Sequence, residues 1–328
     1  MADVTVVIPT KDRAALLREA LRSLREQTVP VDVIVADDGS SDGTAEVVRA
    51  YGALLLSNPV GGWGAAGGRN AGLGEVRTER VGFLDSDDLL LPRAVEQLGA
   101  ALDRAPDAPF AYGRALTARR DAGAWTAEGL IASRRRELAT LPSSLFARNS
   151  VPSSGALVRT AAAREVGGFD ASVPFNEDFY FWVDLALLGI PAHVPEIVSV
   201  YRVHVANRFI ASAGLDYERA AALGRDHPEL AGDLARHFGA RLCEHASDAV
   251  HRRDVRSLAG GIRSILRLSP EPVRTLTAAV EHQRTRHAMT ARGREAWSRL
   301  PDLRAWLATY DGDEPIESAG GLGVPASM

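Results

Sequence analysis

The chain opens on short apolar runs separated by polar, amphipathic stretches. Val4–Pro9 and Val31–Ala36 are continuous and rich in β-branched residues, the pattern of strands buried on both faces. Between them Leu17, Ala20, Leu21 and Leu24 recur at helical spacing, which predicts an amphipathic helix over about residues 13–27. Asp42 can cap a second helix running to about Tyr51. Ala53–Leu56 and Arg80–Leu84 predict a third and a fourth strand. Pro92 opens a helix to about Arg104, since proline is tolerated in a first turn, and Phe110–Ala115 predicts a fifth strand. Strands alternating with helices imply an α/β fold with a mainly parallel sheet and right-handed crossovers.

After residue 115 the pattern changes. Residues 116–150 hold small and basic residues with weak periodicity, and Arg134-Arg135-Arg136 reads as a solvated face. Asn176–Leu188 predicts a helix and Ile197–Tyr201 a short strand. From about Leu215 the pattern is helical: Ala221–Leu223, Leu230–Phe238, Leu242–Val250, Val255–Leu268, Val273–Thr285 and Trp297–Leu307, broken by Pro228, Pro270, Pro272 and Pro301. This places a boundary near residue 213. An α/β domain over 1–213, with halves 1–115 and 116–213, precedes a helical region over 214–310. The glycine-containing tail 311–328 reads as disordered.

Bulk properties narrow the classes. The 328 residues suffice for one large or two ordinary domains. A formal net charge of −4 argues against a general nucleic-acid binder. Cys243 is the single cysteine, so no internal disulfide and no cysteine zinc cluster can form. Neither a signal peptide nor a membrane-spanning run is visible, and a reducing cytoplasm is the expected setting.

The chemistry concentrates in acidic turns. Asp85-Ser86-Asp87 follows the apolar run Val81-Gly82-Phe83-Leu84, and the ligand crevice of an open α/β sheet lies beyond the carboxyl ends of its strands. Hard divalent cations such as Mg²⁺ or Mn²⁺ bind through one or two carboxylates plus a substrate's phosphates. An Asp-rich turn is also ordinary turn chemistry, with Asp88 free to cap the next helix. Asp37-Asp38-Gly39-Ser40 ends an earlier strand in the same way, and Asp38 suits a base N–H or a ribose hydroxyl as well as an Asx-turn. Residues 61–74 hold seven glycines, including the literal G-x-G-x-x-G of Gly62–Gly67. A dinucleotide fingerprint should directly follow the first strand, whereas this one follows the third. Arg69 beside it suits phosphate or carboxylate recognition. Asn176-Glu177-Asp178 opens a helix, where acids are stabilised by the backbone dipole; that alone accounts for Glu177, and keeps Asp178 ionised and able to act as a general base. His204, after Tyr201-Arg202-Val203, can complete a metal site or touch a phosphate, though a lone histidine is more often structural.

In order, Val-Val-Ile-Pro-Thr, Val-Ile-Val-Ala-Asp-Asp-Gly-Ser-Ser-Asp-Gly-Thr, Gly-Gly-Arg-Asn-Ala-Gly, Phe-Leu-Asp-Ser-Asp-Asp, Val-Gly-Gly-Phe-Asp, Asn-Glu-Asp and Tyr-Arg-Val-His resemble the family 2 glycosyltransferases of GT-A fold, over about residues 3–206. The resemblance implies sugar transfer from a nucleotide diphosphate donor to an acceptor hydroxyl, with inversion and with Mg²⁺ or Mn²⁺. It implies that Pro9, Thr10, Asp12 and Asp38 line the nucleotide pocket and that Arg69 lies at the nucleotide or its phosphates. Asp85, Ser86 and Asp87 would face ribose and metal, with Asp87 the main metal ligand and His204 near the metal or diphosphate. Asp178 would be the base. Ser153, Ser154, Gly155, Val166–Phe169, Glu177 and Trp182 would shape the sugar and acceptor side. UDP is the first candidate donor nucleotide, with dTDP or GDP beside it, because Lys11 stands where many members carry a tyrosine on uracil and that departure leaves the base open. Spanning helices and a Gln-x-x-Arg-Trp motif are absent, unlike processive synthases. The acceptor stays open among glycan, lipid-linked, peptide and small-molecule classes. The helical region is left with dimerisation, acceptor or partner binding, or peripheral membrane docking. A dinucleotide-dependent oxidoreductase, a nucleotidyltransferase and a non-catalytic nucleotide-sugar binder are the rival readings.

Overall fold

The computed structural model describes residues 2–121, 123–131, 151–173, 177–203, 217–230 and 297–310, with isolated positions between 232 and 295. Among the described residues nine strands form one sheet in the order β3-β2-β1-β4-β8-β6-β9-β5, with β7 paired to β6. β1 (Val4–Thr10), β2 (Asp32–Asp37), β3 (Leu54–Ser57) and β4 (Arg80–Phe83) are mutually parallel, as the alternating pattern predicts. The second half is mixed. β6 (Phe110–Asp121) runs parallel to β9 (Ala192–Arg202), while β8 (Ala156–Arg159) is antiparallel to both β4 and β6. β5 (Leu89–Leu90) is antiparallel to β9, and β7 (Ala124–Ile131) returns on β6 as a hairpin through Gly123 at φ +83°. A hairpin needs no crossover helix, so antiparallel pairing enters here.

Successive residues of β1 face opposite sides of the sheet. Val4, Val6 and Ile8 pack with α1 (Ala14–Arg25), α2 (Thr44–Tyr51) and α4 (Ala94–Arg104) in one buried cluster. Val7 packs on the other face with Leu73 of α3 (Gly64–Glu75), Ala162 and Ala163 of α5 (Thr160–Glu165), and Phe181 and Leu185 of α6 (Glu177–Leu188). Each such aliphatic side chain is worth ~1.5–3 kcal/mol when fully buried. Asp42 joins the first two helices: Oδ1 accepts from Thr44 N (3.0 Å) and Oδ2 from Ala14 N (2.9 Å), so one carboxylate serves two helix starts.

The glycine-rich stretch is largely helix, not loop. Glycine costs about 1 kcal/mol per helical position against alanine, so packing must decide. A Cβ on Gly68 would lie 3.2 Å from Pro9 Cβ, and one on Gly72 only 2.2 Å from Val7 Cγ1. These glycines, one turn apart, let α3 lie directly on β1. Gly72→Ala is expected to destabilise the protein by roughly 1–3 kcal/mol, because overpacking outweighs the gain in helix propensity. Gly74→Ala, whose Cβ meets nothing within 4 Å, serves as the stable control. Urea-denaturation midpoints of the two variants check this.

α7 (Tyr217–Asp226) contains the predicted Ala221–Leu223 segment, and α8 (Pro301–Ala308) corresponds to the predicted Trp297–Leu307 helix. α8 packs back on the sheet: Leu303, Leu307 and Tyr310 are buried with Leu89, Leu116, Ala127 and Val200. Trp306 Nε1 and Tyr310 Oη donate to Glu26 Oε2 on the far end of α1 (2.7 and 3.2 Å). The predicted helix over 255–268, Arg134–Arg136, Asn176 and the tail 311–328 lie outside the described residues, as does most of 242–250 and of 273–285.

Candidate active site

Beyond β4 the chain turns through Asp85-Ser86-Asp87-Asp88, closed by Asp88 N donating to the Asp85 carbonyl (2.9 Å). Each acid of the turn takes a different partner. Asp85 Oδ1 accepts from Arg69 Nη2 (2.6 Å) and Asp87 Oδ2 from Arg13 Nη1 (2.7 Å). Asp88 is fully enclosed: its Oδ2 accepts from Ser154 Oγ (2.6 Å) and its Oδ1 from the Arg202 backbone N–H (3.0 Å). It therefore does not cap the following helix, which begins only at Ala94, after β5. Burial and the neighbouring Asp85 and Asp87 carboxylates push the Asp88 carboxyl well above its ordinary range.

The first turn of α6 meets this turn. Arg69, 4% exposed, spans the gap with its fork, donating from Nη1 to Glu177 Oε1 (2.7 Å) while Nη2 holds Asp85. Glu177 is thus an ion-pair partner as well as a dipole stabiliser. Asp178 Oδ2 accepts from Ser153 Oγ (3.0 Å) and its Oδ1 from Phe179 N (2.7 Å). Ser154, next in sequence, also accepts from Asp85 N through Oγ (3.2 Å). The short 3-10 turn Ser153–Gly155 thereby ties both acidic elements together. Burial raises the Asp85 carboxyl, against Arg69 and with Asp87 and Asp178 adding to the rise. Glu177 rises from burial, opposed by Arg69 and reinforced by Asp178. Arg69 would lose basicity by burial alone, but Asp85, Glu177 and Asp178 hold it firmly protonated. Tyr201, on β9, has its phenol raised by burial and then by Asp88, Asp85, Asp87 and Asp178. Arg13 and Tyr201 were not among the sequence candidates; an arginine opening an amphipathic helix and a tyrosine in a strand carry no local signal.

Asp38 belongs to a neighbouring group of loops. Its Oδ1 accepts from Trp63 N (2.8 Å) and Asn58 Nδ2 (3.1 Å), and its Oδ2 from Gly64 N (3.1 Å). Burial acts to raise this carboxyl, but the bonds from Trp63, Gly64 and Asn58 prevail and lower it. The N-terminus of α3, where a pyrophosphate would sit in a dinucleotide fold, is thus occupied by the protein's own carboxylate. That arrangement disfavours the oxidoreductase reading. Asp12, at φ +50°, accepts from Ser41 N (2.7 Å) and donates its own N–H to Ser40 Oγ (2.8 Å), binding the loops after β1 and β2 to each other.

The remaining sequence candidates divide. Pro9 abuts Gly68 of α3, and Thr10 is buried with its Oγ1 unpartnered among the described residues. Ser86 is buried within the acidic turn. Gly155 is a packing position: a Cβ there would lie 2.7 Å from Pro152 Cγ and 2.9 Å from Ser199 Oγ. Val166–Phe169 is fixed by Asn70, whose Oδ1 accepts from Phe169 N (2.8 Å) and whose Nδ2 donates to Phe169 O (2.7 Å). Trp182 sits 1% exposed in the core against Phe110 and Phe181 rather than at the rim. His204 lies outside the described residues.

Residues 5–165 match the family model described as glycosyl transferase family 2. A 4,4'-diaponeurosporenoate glycosyltransferase of Staphylococcus aureus (strain USA300) is 38% identical over 100 residues, which is 29% of this chain and 27% of the relative. The chain therefore spans about a quarter of that relative's length. S. aureus TarS 1-349, solved in complex with UDP, superposes with a TM-score of 0.63 at 18% identity, covering 95% of this chain and 88% of that one. TarS 1-349 in complex with UDP-GlcNAc gives the same TM-score and identity over 91% and 92%. Residues 5–165 thus belong to glycosyl transferase family 2, and the chain has the GT-A fold.

Proposed function

We propose that the protein is a metal-dependent, inverting glycosyltransferase that uses a nucleotide diphosphate sugar, with Asp178 as general base. The observation that carries this reading is the joining of the Asp85–Asp88 turn to the first turn of α6 by Arg69 and by Ser153-Ser154. Two acidic elements 90 residues apart in sequence would not be held in one cluster by chance turn chemistry, since burying like charges is costly.

The donor set fits a hard cation. The carboxylates of Asp85, Asp87, Asp88, Glu177 and Asp178 outnumber the guanidiniums of Arg13, Arg69 and Arg202, and burial raises Asp85 and Asp88. Among the described residues no three His, Cys, Asp or Glu side chains are grouped so that they could hold a metal ion by themselves, so substrate oxygens would have to complete the shell. Two carboxylates plus substrate oxygens is the arrangement Mg²⁺ or Mn²⁺ adopts against phosphates. Asp87 and Asp85 would hold the ion, with His204 as a further candidate, and the ion would neutralise charge on the leaving diphosphate.

The chain's own groups supply the rest. Asp178 takes the proton of the acceptor hydroxyl as its oxygen bonds to the anomeric carbon, while the bond from that carbon to the diphosphate oxygen breaks. One displacement inverts the centre and needs no enzyme nucleophile. Arg13, 37% exposed, is free to move from Asp87 to a donor phosphate once the carboxylate is otherwise neutralised. TarS binds UDP and UDP-GlcNAc, which makes UDP-sugars the first donors to try. A panel of UDP-, dTDP- and GDP-sugars with Mn²⁺ should release nucleoside diphosphate for at least one donor, and EDTA should abolish it. Release from none, or release indifferent to EDTA, overturns the proposal.

A further inference from the structure

Arg202 ends β9 and is 5% exposed, and it meets the acidic turn through both its side chain and its main chain. Its Nε donates to the Asp87 carbonyl, and its backbone N–H donates to Asp88 Oδ1 (3.0 Å). Its Nη2 donates to the Leu16 carbonyl of α1 (3.1 Å), and its Nη1 pairs with Glu19 Oε2, also on α1. Glu19 Oε1 accepts from Arg120 Nη1 (3.1 Å), which also donates to the Tyr310 carbonyl after α8 (2.7 Å). One guanidinium therefore joins the acidic turn, α1 and, through Glu19 and Arg120, the C-terminal helix.

We infer that Arg202, anchored by Glu19, is a positioning residue that holds the Asp85–Asp88 turn in its cation-receiving shape. The inference rests on the proposed role of that turn. A turn carrying three carboxylates repels itself and relaxes outward unless its backbone is gripped. Arg202 grips the Asp87 carbonyl without taking the Asp85 and Asp87 carboxylates, which pair with Arg69 and Arg13. A buried guanidinium persists there because Glu19 neutralises it; burial depresses its basicity, and Glu19, Asp88 and Asp87 oppose that. Lysine at this position would keep the charge but could not reach the turn, α1 and Glu19 together.

The test uses the full chain and two readouts. In metal-free protein, amide hydrogen exchange over residues 84–90 should accelerate in Arg202→Met and in Glu19→Gln relative to β1 and β2, with Arg202→Lys between wild type and Arg202→Met. In the presence of UDP, the Mn²⁺ concentration that half-saturates binding should rise roughly 10–100-fold in Arg202→Met and less in Glu19→Gln, while Arg202→Lys restores part of it. Should Arg202→Met fail to fold, Glu19→Gln carries both readouts. Unchanged exchange at 84–90 with an unchanged Mn²⁺ requirement overturns the inference, as does a uniform rise in exchange across the whole sheet. If wild type binds no nucleotide at all, the proposed function fails, and the exchange measurement alone then decides the role of Arg202.

Discussion

Asp178→Asn is expected to lower glycosyl transfer by roughly 10²–10⁴ while leaving nucleotide binding in place. Asparagine keeps the shape: its Oδ1 can still accept from Phe179 N, and the Ser153 hydroxyl can turn to accept from its Nδ2, so the first turn of α6 survives. What disappears is the lone pair that takes the acceptor's proton. The exchange also removes a negative charge that raises both Asp85 and Glu177, so the donor side should not weaken. Steady-state transfer measured beside UDP titration separates these effects. Full turnover in this variant would move the base elsewhere. Glu177 is poorly suited, because its carboxylate is committed to Arg69.

Arg69→Met carries the largest expected cost in stability. The guanidinium is enclosed between Asp85 and Glu177 and lies 5.1 Å from the Phe169 ring centroid. Removing it leaves two sheltered carboxylates without their cation, a loss of about 3–5 kcal/mol. Arg69→Lys should recover only part, since one ammonium cannot reach both acids as a fork does. The deficit should shrink as the pH falls. Asp85 and Glu177 already hold protons more tightly folded than unfolded, so acid favours the folded form, and loss of Arg69 strengthens that preference. Chemical denaturation at neutral and mildly acidic pH measures the size and the sign.

These two residues also mark how far the sequence could be read. The parallel half of the sheet was legible because strands buried on both faces are unbroken apolar runs, as in Val4–Thr10. β7 was not: its burial is partial and irregular, and only its pairing with β6 holds it. α3 contradicts helix propensity, and the reason lies in Val7 and Pro9, more than fifty residues upstream. Among the acids, position at a strand end was visible, but partners were not. Asp88 looks like a cap until Ser154 and Arg202 are brought to it. Glu177 looks like a dipole stabiliser until Arg69 arrives. Trp182 could not be assigned to a face because α6 is apolar on nearly every side of that turn, with Phe179, Tyr180, Phe181 and Val183 all buried. The attachment of α8 to Glu26 and to the β6–β7 hairpin is a long-range contact that no local pattern encodes.

The central claim is that the carboxylates beyond β4 receive a cation bound to the donor's diphosphate. Isothermal titration of UDP into wild type and Asp87→Ala, each with Mn²⁺ and then with EDTA, tests it most directly. The account predicts tight binding to wild type with Mn²⁺, and weak or absent binding in EDTA and in Asp87→Ala under either condition. Equal affinity in all four titrations would contradict it.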